Sequence, residues 1–382
     1  MFRGDAAHTG NYISIPLPAL AGQLWRFKAG DKVMTTPAVA DRQVFFGCND
    51  DNLYALDFAT GIVRWSYKAK KDIQSSPAAV SGIVYFGSKD GWFYALNTSN
   101  GALLWRFEAG DAITSSPAVV DGTVYFGCDD KHLYALSATR GTERWRVPVK
   151  KAIRGSPAVD GGMVFVGDIG GDFYAVDAAT GQVRWTFKAD DDILGSAAVA
   201  DGVVYVGDDS GNLYARDEAT GQAKGLFKAE GGIRTAPAVS GGLLYVGTSN
   251  GSLFAIDVSA GEIRWTFRAG GAIESSPSVA GGTVFFGCDD KSLYAVDAAS
   301  GKLRWRLPTS KAVRSSPAIV SSVLLFGCDD GTVSALYGPN PSAATAPAAP
   351  VAPAAPMLPP ITPPPPPSEA PPAMMPPQGT GL

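Results

Sequence analysis

The feature that most limits what this chain can become is a repeat of forty residues. The stretch 281–305, GGTVFFGCDDKSLYAVDAASGKLRW, returns each time the sequence is shifted by forty positions. Gly287 has counterparts at Gly47, Gly87, Gly127, Gly167, Gly207, Gly247 and Gly327. Ala295 has them at Ala55, Ala95, Ala135, Ala175, Ala215, Ala255 and Ala335. Trp305 recurs as Trp25, Trp65, Trp105, Trp145, Trp185 and Trp265, with Gly225 the one lapse. No insertion breaks the register between residues 25 and 335. A fixed period of this size means one supersecondary unit stacked many times around a shared core. The 382-residue length, which by itself suggests two or three domains, therefore reads as one array.

Each unit carries four short β runs, in the third unit at roughly 112–119, 123–127, 132–137 and 142–147. The second and third, TVYFG and HLYAL, have the β-branched and aromatic composition of strands. The first contains Pro117, with equivalents at Pro37, Pro77, Pro157, Pro237, Pro277 and Pro317 and an exception at Ala197. Proline cannot donate to a ladder, so the first strand is expected at an edge. Asp121-Gly122 and Asp201-Gly202 mark tight first-to-second turns. Acidic loops, CDDK at 128–131 or DDSG at 208–211, join second to third. A D-x-x-T-G turn, as in Asp177–Gly181, joins third to fourth; its aspartate accepts from the turn backbone and its glycine takes positive φ.

Four antiparallel strands per unit, arranged around an axis, make a β-propeller. First, second and third strands occur eight times, but the fourth-strand set starts at Trp25 and stops at Trp305. The orphan segment QLWRFK, residues 23–28, is therefore expected to complete the eighth blade. The fold class is an all-β, eight-bladed propeller of four-stranded antiparallel blades, closed by an N-terminal strand that leaves no open edge. Residues 1–22 are expected to form a strap over the body, 23–338 the propeller and 339–382 a disordered Pro/Ala-rich tail. That tail holds 17 of the 28 prolines and a single charge, Glu369, too little apolar surface to fold. PPPPP at 363–367 reads as polyproline II, either a tether or a docking motif. WRVPVKKAIR at 145–154 echoes WRLPTSKAVR at 305–314, which hints at a duplicated half-ring. The fifth unit, with Ala197 for proline and Gly225 for tryptophan, is the outlier.

The formal charge of −4, with acidic and basic residues nearly balanced, gives no footprint for nucleic acid. No apolar run is long enough for a transmembrane helix. The start, MFRGDAAHTGNY, lacks a basic segment followed by an apolar one, so the chain as written is expected in the cytoplasm. Cys48, Cys128, Cys288 and Cys328 share one register. Equivalent positions on neighbouring packed sheets lie roughly 10 Å apart, against about 5.5–6 Å between the Cα atoms of a disulfide. Four free thiols are expected. With His8 and His132 the only histidines, no metal site is expected.

The motif L-Y-A-x-D-x-x-T-G-x-x-x-W resembles the tryptophan-docking repeat of the pyrroloquinoline-quinone (PQQ)-like propellers, over residues 1–337. MFRGDAAHTG resembles that family's opening segment, in which a tryptophan often lies just upstream. On this resemblance Met1 is an internal methionine of a longer precursor, and the compartment becomes the periplasm or cell envelope. The resemblance also implies that Trp25, Trp65, Trp105, Trp145, Trp185, Trp265 and Trp305 each stack on the next blade and bond across to it. The family holds quinoprotein dehydrogenases, with PQQ and Ca²⁺ on the axis, and non-enzymatic scaffolds: BamB, of the outer-membrane barrel assembly machinery, and sensor domains attached to kinases.

The dehydrogenases' adjacent cysteine pair and inserted calcium-binding loops have no counterpart in this unbroken register. Asp129-Asp130 and Asp289-Asp290 read as turn chemistry rather than a calcium shell of six to eight oxygens. His132 stands in a register otherwise filled by Asn52, Asp172, Asn212, Ser252, Ser292 and Thr332, a rim polar position rather than an oriented catalytic histidine. The expected function is a monomeric, non-enzymatic, cofactor-free scaffold that binds a protein or peptide. A PQQ or other small-ligand binder, and a sensor module, are the alternatives.

The second-to-third loops and the fourth-to-first connections share one face, which carries most of the variation. There Lys150, Lys151 and Arg154 mark blade four, Asp190, Asp191 and Asp192 blade five, and Lys311 and Arg314 blade eight. Trp92 breaks the polar register of His132 and is expected to be the most exposed tryptophan. Tryptophan and arginine dominate binding energy at interfaces, so Trp92, His132 and Arg154 form the candidate partner site. The alternative lays Trp92 flat over its own blade, shielding the neighbours of Phe93 and Tyr94.

Overall fold

The computed structural model describes residues 4–12 and 19–338; the expected tail, its polyproline run and the rest of the strap lie outside the described residues. The chain divides into two units, Met1–Asn340 and Pro341–Leu382, and only the first contains described residues. That unit is all-β and forms a ring of eight four-stranded antiparallel sheets. Blade three shows the plan: Ala118–Val120, Thr123–Gly127, His132–Ser137 and Glu143–Pro148, in that spatial order. Blade eight takes its fourth strand from the other end of the chain. Gly22–Lys28 pairs antiparallel with Thr332–Tyr337, placing Trp25 opposite Ala335.

The first strand is shorter than the sequence suggests, three residues rather than eight. The stretch before it, which includes the proline, is used differently. Its serines build a belt around the axis: the N–H groups of Thr36, Ser76, Ser116 and Ser156 donate to the Oγ atoms of Ser76, Ser116, Ser156 and Ser196, at 2.8–3.0 Å. Ala236 and Ser276 continue it to Ser276 and Ser316. Ser315 Oγ donates to the Thr35 carbonyl and so joins blade eight to blade one.

The described part of the strap, residues 4–12, runs along the inner strands of four blades. Its carbonyls at Ala6, Ala7, Thr9 and Gly10 accept from the N–H groups of Val159, Val199, Val239 and Val279, on the first strands of blades four to seven. Asn11–Tyr12 then pairs parallel with Val279–Ala280. The physical reason is that the innermost strand of each blade turns an unpaired edge towards the axis, and a segment crossing there satisfies it.

Blades pack through aromatic and β-branched side chains, and two glycine registers explain themselves sterically. A Cβ on Gly127 would sit 2.1 Å from Ile153 of the next blade, a contact no side chain tolerates. The second register belongs to the docking tryptophans. Trp25, Trp65, Trp105, Trp145, Trp185 and Trp265 donate from Nε1 to the carbonyls of Phe58, Thr98, Ala138, Ala178, Glu218 and Ala298, at 2.8–3.1 Å. Each ring lies on the turn glycine of the next blade, where a Cβ on Gly61, Gly101, Gly141, Gly181, Gly221 or Gly301 would come within 2.4–2.9 Å. Trp305 differs. Its neighbour, blade eight, has no third-to-fourth turn, because its fourth strand begins near the N-terminus. The buried Trp305 N–H has no partner among the described residues.

The D-x-x-T-G turns are held by charge. Arg64 and Arg304 keep the carboxyls of Asp57 and Asp297 down at about 2, and the Thr220 hydroxyl with Lys224 does so for Asp217. An unfolded aspartate titrates near 3.9, so these groups stabilise the fold above that pH and lose the contribution as pH falls towards 2. Glu274 and Asp329, raised by burial, act in the opposite sense. Circular dichroism melts should show Tm falling between about pH 4 and pH 2, with the decline shallower in Asp297→Asn. A Tm flat across that window would contradict the assignment.

Candidate functional site

The loop face is assembled from short polar clamps. In the second-to-third loops, Asp50, Asp90, Asp130 and Asp290 accept from the hydroxyls of Tyr54, Tyr94, Tyr134 and Tyr294, at 2.5–2.8 Å. The same carboxylates accept from the N–H groups of Gly30, Lys70, Gly110 and Gly270, at 2.8–3.1 Å. Each thus ties a loop to the preceding blade's connection. In blades four and five the carboxylate comes two residues earlier, as Asp168 and Asp208, and still meets Tyr174 and Tyr214. Burial, and then the facing aspartate, pushes the Tyr294 hydroxyl up to about 12. These aspartates are committed to holding loops. Among the described residues no group of three or more His, Cys, Asp or Glu could hold a metal ion.

One register of the repeat, three residues before the proline that precedes each first strand (Ala197 in blade five), reads Met34, Gln74, Thr114, Arg154, Leu194, Arg234, Glu274 and Arg314 and faces the axial side of the loops. Each arginine is paired to the loop of the preceding blade. Arg154 reaches Asp129 at 3.3 Å, Arg234 reaches Asp209 at 2.6 Å and Arg314 reaches Asp289 at 3.0 Å. Arg234 also meets Glu274, and Arg314 meets Asp329, both at 3.4 Å. Arg154 and Arg314 were visible in the sequence, whereas Arg234 and Glu274 were missed. Reading this one register through all eight repeats would have found them.

The three candidate partner residues sit on consecutive blades of this face, each with contacts of its own. Trp92 is half-buried, as are six of the docking tryptophans. It packs against the cluster containing Phe86 and Tyr94, and the exposed Arg106 guanidinium lies 4.3 Å from its ring centroid. The reason is the apolar surface beside it, which an indole covers better than water does. His132 Nδ1 is 3.2 Å from the Asp130 carbonyl oxygen, and its ring is tilted against Tyr134. The Arg154 guanidinium donates to both carboxylate oxygens of Asp129 in the preceding blade's loop.

The profile of a family described as outer membrane protein assembly factor BamB matches residues 19–106, 89–226 and 224–340. The chain belongs to this family. No curated protein matches it in sequence. Among solved structures, BamB from Moraxella catarrhalis is 18% identical, with a TM-score of 0.74 over 84% of this chain and 100% of its own. Quinohemoprotein alcohol dehydrogenase from Comamonas testosteroni is 17% identical, with a TM-score of 0.76 over 89% of this chain and 80% of its own. A computationally designed protein, Ika8, is 18% identical, with a TM-score of 0.76 over 83% and 100%. At these identities the likeness is one of fold.

A quinohemoprotein alcohol dehydrogenase shares this fold, but the described residues do not fit a quinone and its calcium. The axial arginines are neutralised by their own aspartates, and the loop carboxylates are tied to tyrosines and backbone N–H groups. The four cysteines are free, buried and in separate blades, donating to the carbonyls of Asp31, Asp111, Gly271 and Lys311. Burial pushes Cys48, Cys128 and Cys288 up to about 12. The folded protein should therefore not react with a disulfide reagent at pH 8, and all four thiols should react once it is denatured. Rapid labelling of native protein would contradict the burial.

Proposed function

We propose that this protein is a non-enzymatic propeller scaffold whose loop face takes up a protein or peptide. The observation that carries the reading is the Trp92–Arg106 pair, an indole with an exposed guanidinium stacked 4.3 Å from its centroid. It stands on a rim where the other blades carry small polar side chains or His132. Tryptophan and arginine contribute most at interfaces, and a stacked pair has less rotamer freedom to lose on binding. Membership of the BamB family supports a protein as the partner class, since that family is described as an outer membrane protein assembly factor. The committed polar groups at the axis favour this reading over a catalytic one.

The test compares wild type, Trp92→Ala and Trp92→Phe in cross-linked pull-downs from the native host. The phenylalanine variant keeps packing against Phe86 and Tyr94, so it separates recognition from stability. Trp92→Ala should lose at least one partner, with binding weakened by about 2 kcal/mol or more. Identical partner lists from equally stable proteins would remove the support for this site.

A further inference from the structure

The joint between blades five and six repeats the docking geometry without its tryptophan. The fourth strand there, Ala223–Lys228, keeps its register, with Gly225 opposite Ala215 where other blades place tryptophan opposite alanine. The receiving side is also intact. Gly261 keeps φ at +68° like the other turn glycines, but nothing lies within 4 Å of where its Cβ would be. Ala215 is half-buried, whereas Ala55, Ala95, Ala135, Ala175, Ala255, Ala295 and Ala335 are all fully buried. Between these surfaces is a half-open pocket of about 580 Å³, walled by Tyr205, Leu213, Phe227, Leu244 and Ile256, with Lys224 and Asp257 also lining it. Val258, which also lines it, holds the position whose backbone carbonyl accepts from an indole N–H in six other joints.

We infer that this pocket is a binding site for a free planar bicyclic aromatic with one ring N–H donor, an indole or small indole derivative. Six copies of the same slot in the same ring hold that group between a flat glycine and an inward-facing carbonyl. Here the backbone that would bear the ring is in place and only the ring is missing, so the matching occupant is a detached one. The volume lies within the range of small-ligand pockets, which combine apolar and aromatic walls with a few polar groups, as Tyr205, Leu244 and Ile256 do here beside Lys224 and Asp257. The site is independent of the loop-face reading. It lies at the joint's third-to-fourth turn, on the opposite face of the ring from Trp92.

Titration with indole, followed by calorimetry and by chemical-shift changes at Val258 and Gly261, tests the inference. Indole should bind with one-to-one stoichiometry. 1-Methylindole, which has no N–H, should bind ~5-fold more weakly, the worth of one neutral hydrogen bond. Gly225→Trp, which fills the slot from within, should abolish binding and raise Tm. If that variant folds poorly, Trp145→Gly provides the converse: it opens a second slot and should double the stoichiometry. Absence of binding to wild type, equal binding by Gly225→Trp, or equal affinity for both ligands would overturn the inference. Tighter binding of the peptide Gly-Trp-Gly than of indole would overturn it as a small-molecule site.

Discussion

Removing residues 1–28 is expected to cost more than about 5 kcal/mol and to leave the chain aggregating. The deletion takes away Gly22–Lys28, and with it the pairing from Gly22↔Tyr337 to Lys28↔Thr332. The third strand of blade eight then becomes an open edge of unpaired backbone, the kind that recruits other chains. The same deletion removes Trp25, which is buried against blade one and bonded to the Phe58 carbonyl. The strap goes too, unpairing Val159, Val199, Val239 and Val279 at the axis. Deleting only residues 1–12 separates these terms, because it removes the strap and spares the closing strand. That shorter deletion should lower Tm without aggregation, as read by differential scanning calorimetry and light scattering. Equal losses from the two deletions would mean that the closing strand contributes nothing of its own.

Trp105→Ala is expected to destabilise by about 3 kcal/mol, the lower end of the range for emptying an aromatic site, because the ring is half-buried. The ring packs beside Tyr85 and Phe93, rests on Gly141 and donates to the Ala138 carbonyl. Trp305→Ala provides the internal comparison. Trp305 packs beside Phe285, but its N–H has no partner among the described residues. Its loss should cost about 1 kcal/mol less, the net worth of the missing hydrogen bond. Urea melts of both variants measure the difference. Equal costs would show that the docking bond adds nothing to the packing.

The ring was legible in the sequence because its code is repeated. A residue at one position was checked against seven others, so the strand order, the eight blades and the orphan strand at Trp25 could all be counted. The extent of the first strand was not legible. SSP can be read as strand or as connection, and only the pairing of serine hydroxyls between neighbouring blades decides for connection. The strap's path was hidden for a related reason. Ala6, Ala7, Thr9 and Gly10 use their backbone carbonyls, which carry no side-chain signature. Trp92 was visible as a break in register, but its exposure depended on Arg106 and the cluster around Tyr94, which meet only in the folded blade. Gly225 was visible as a lapse. That the lapse is a pocket rather than a repacked joint needed Gly261 and Ala215 to stay where they were.

The central proposal is that this ring recognises a protein or peptide and carries out no redox chemistry of its own. It is tested most directly by titrating the purified protein with PQQ and Ca²⁺. Absorbance and tryptophan fluorescence would report binding, and a dye-linked assay with primary alcohols would report turnover. The account predicts no saturable spectral change and no dye reduction, because the axial arginines remain with Asp129, Asp209 and Asp289. Stoichiometric quinone binding accompanied by alcohol-dependent dye reduction would contradict it.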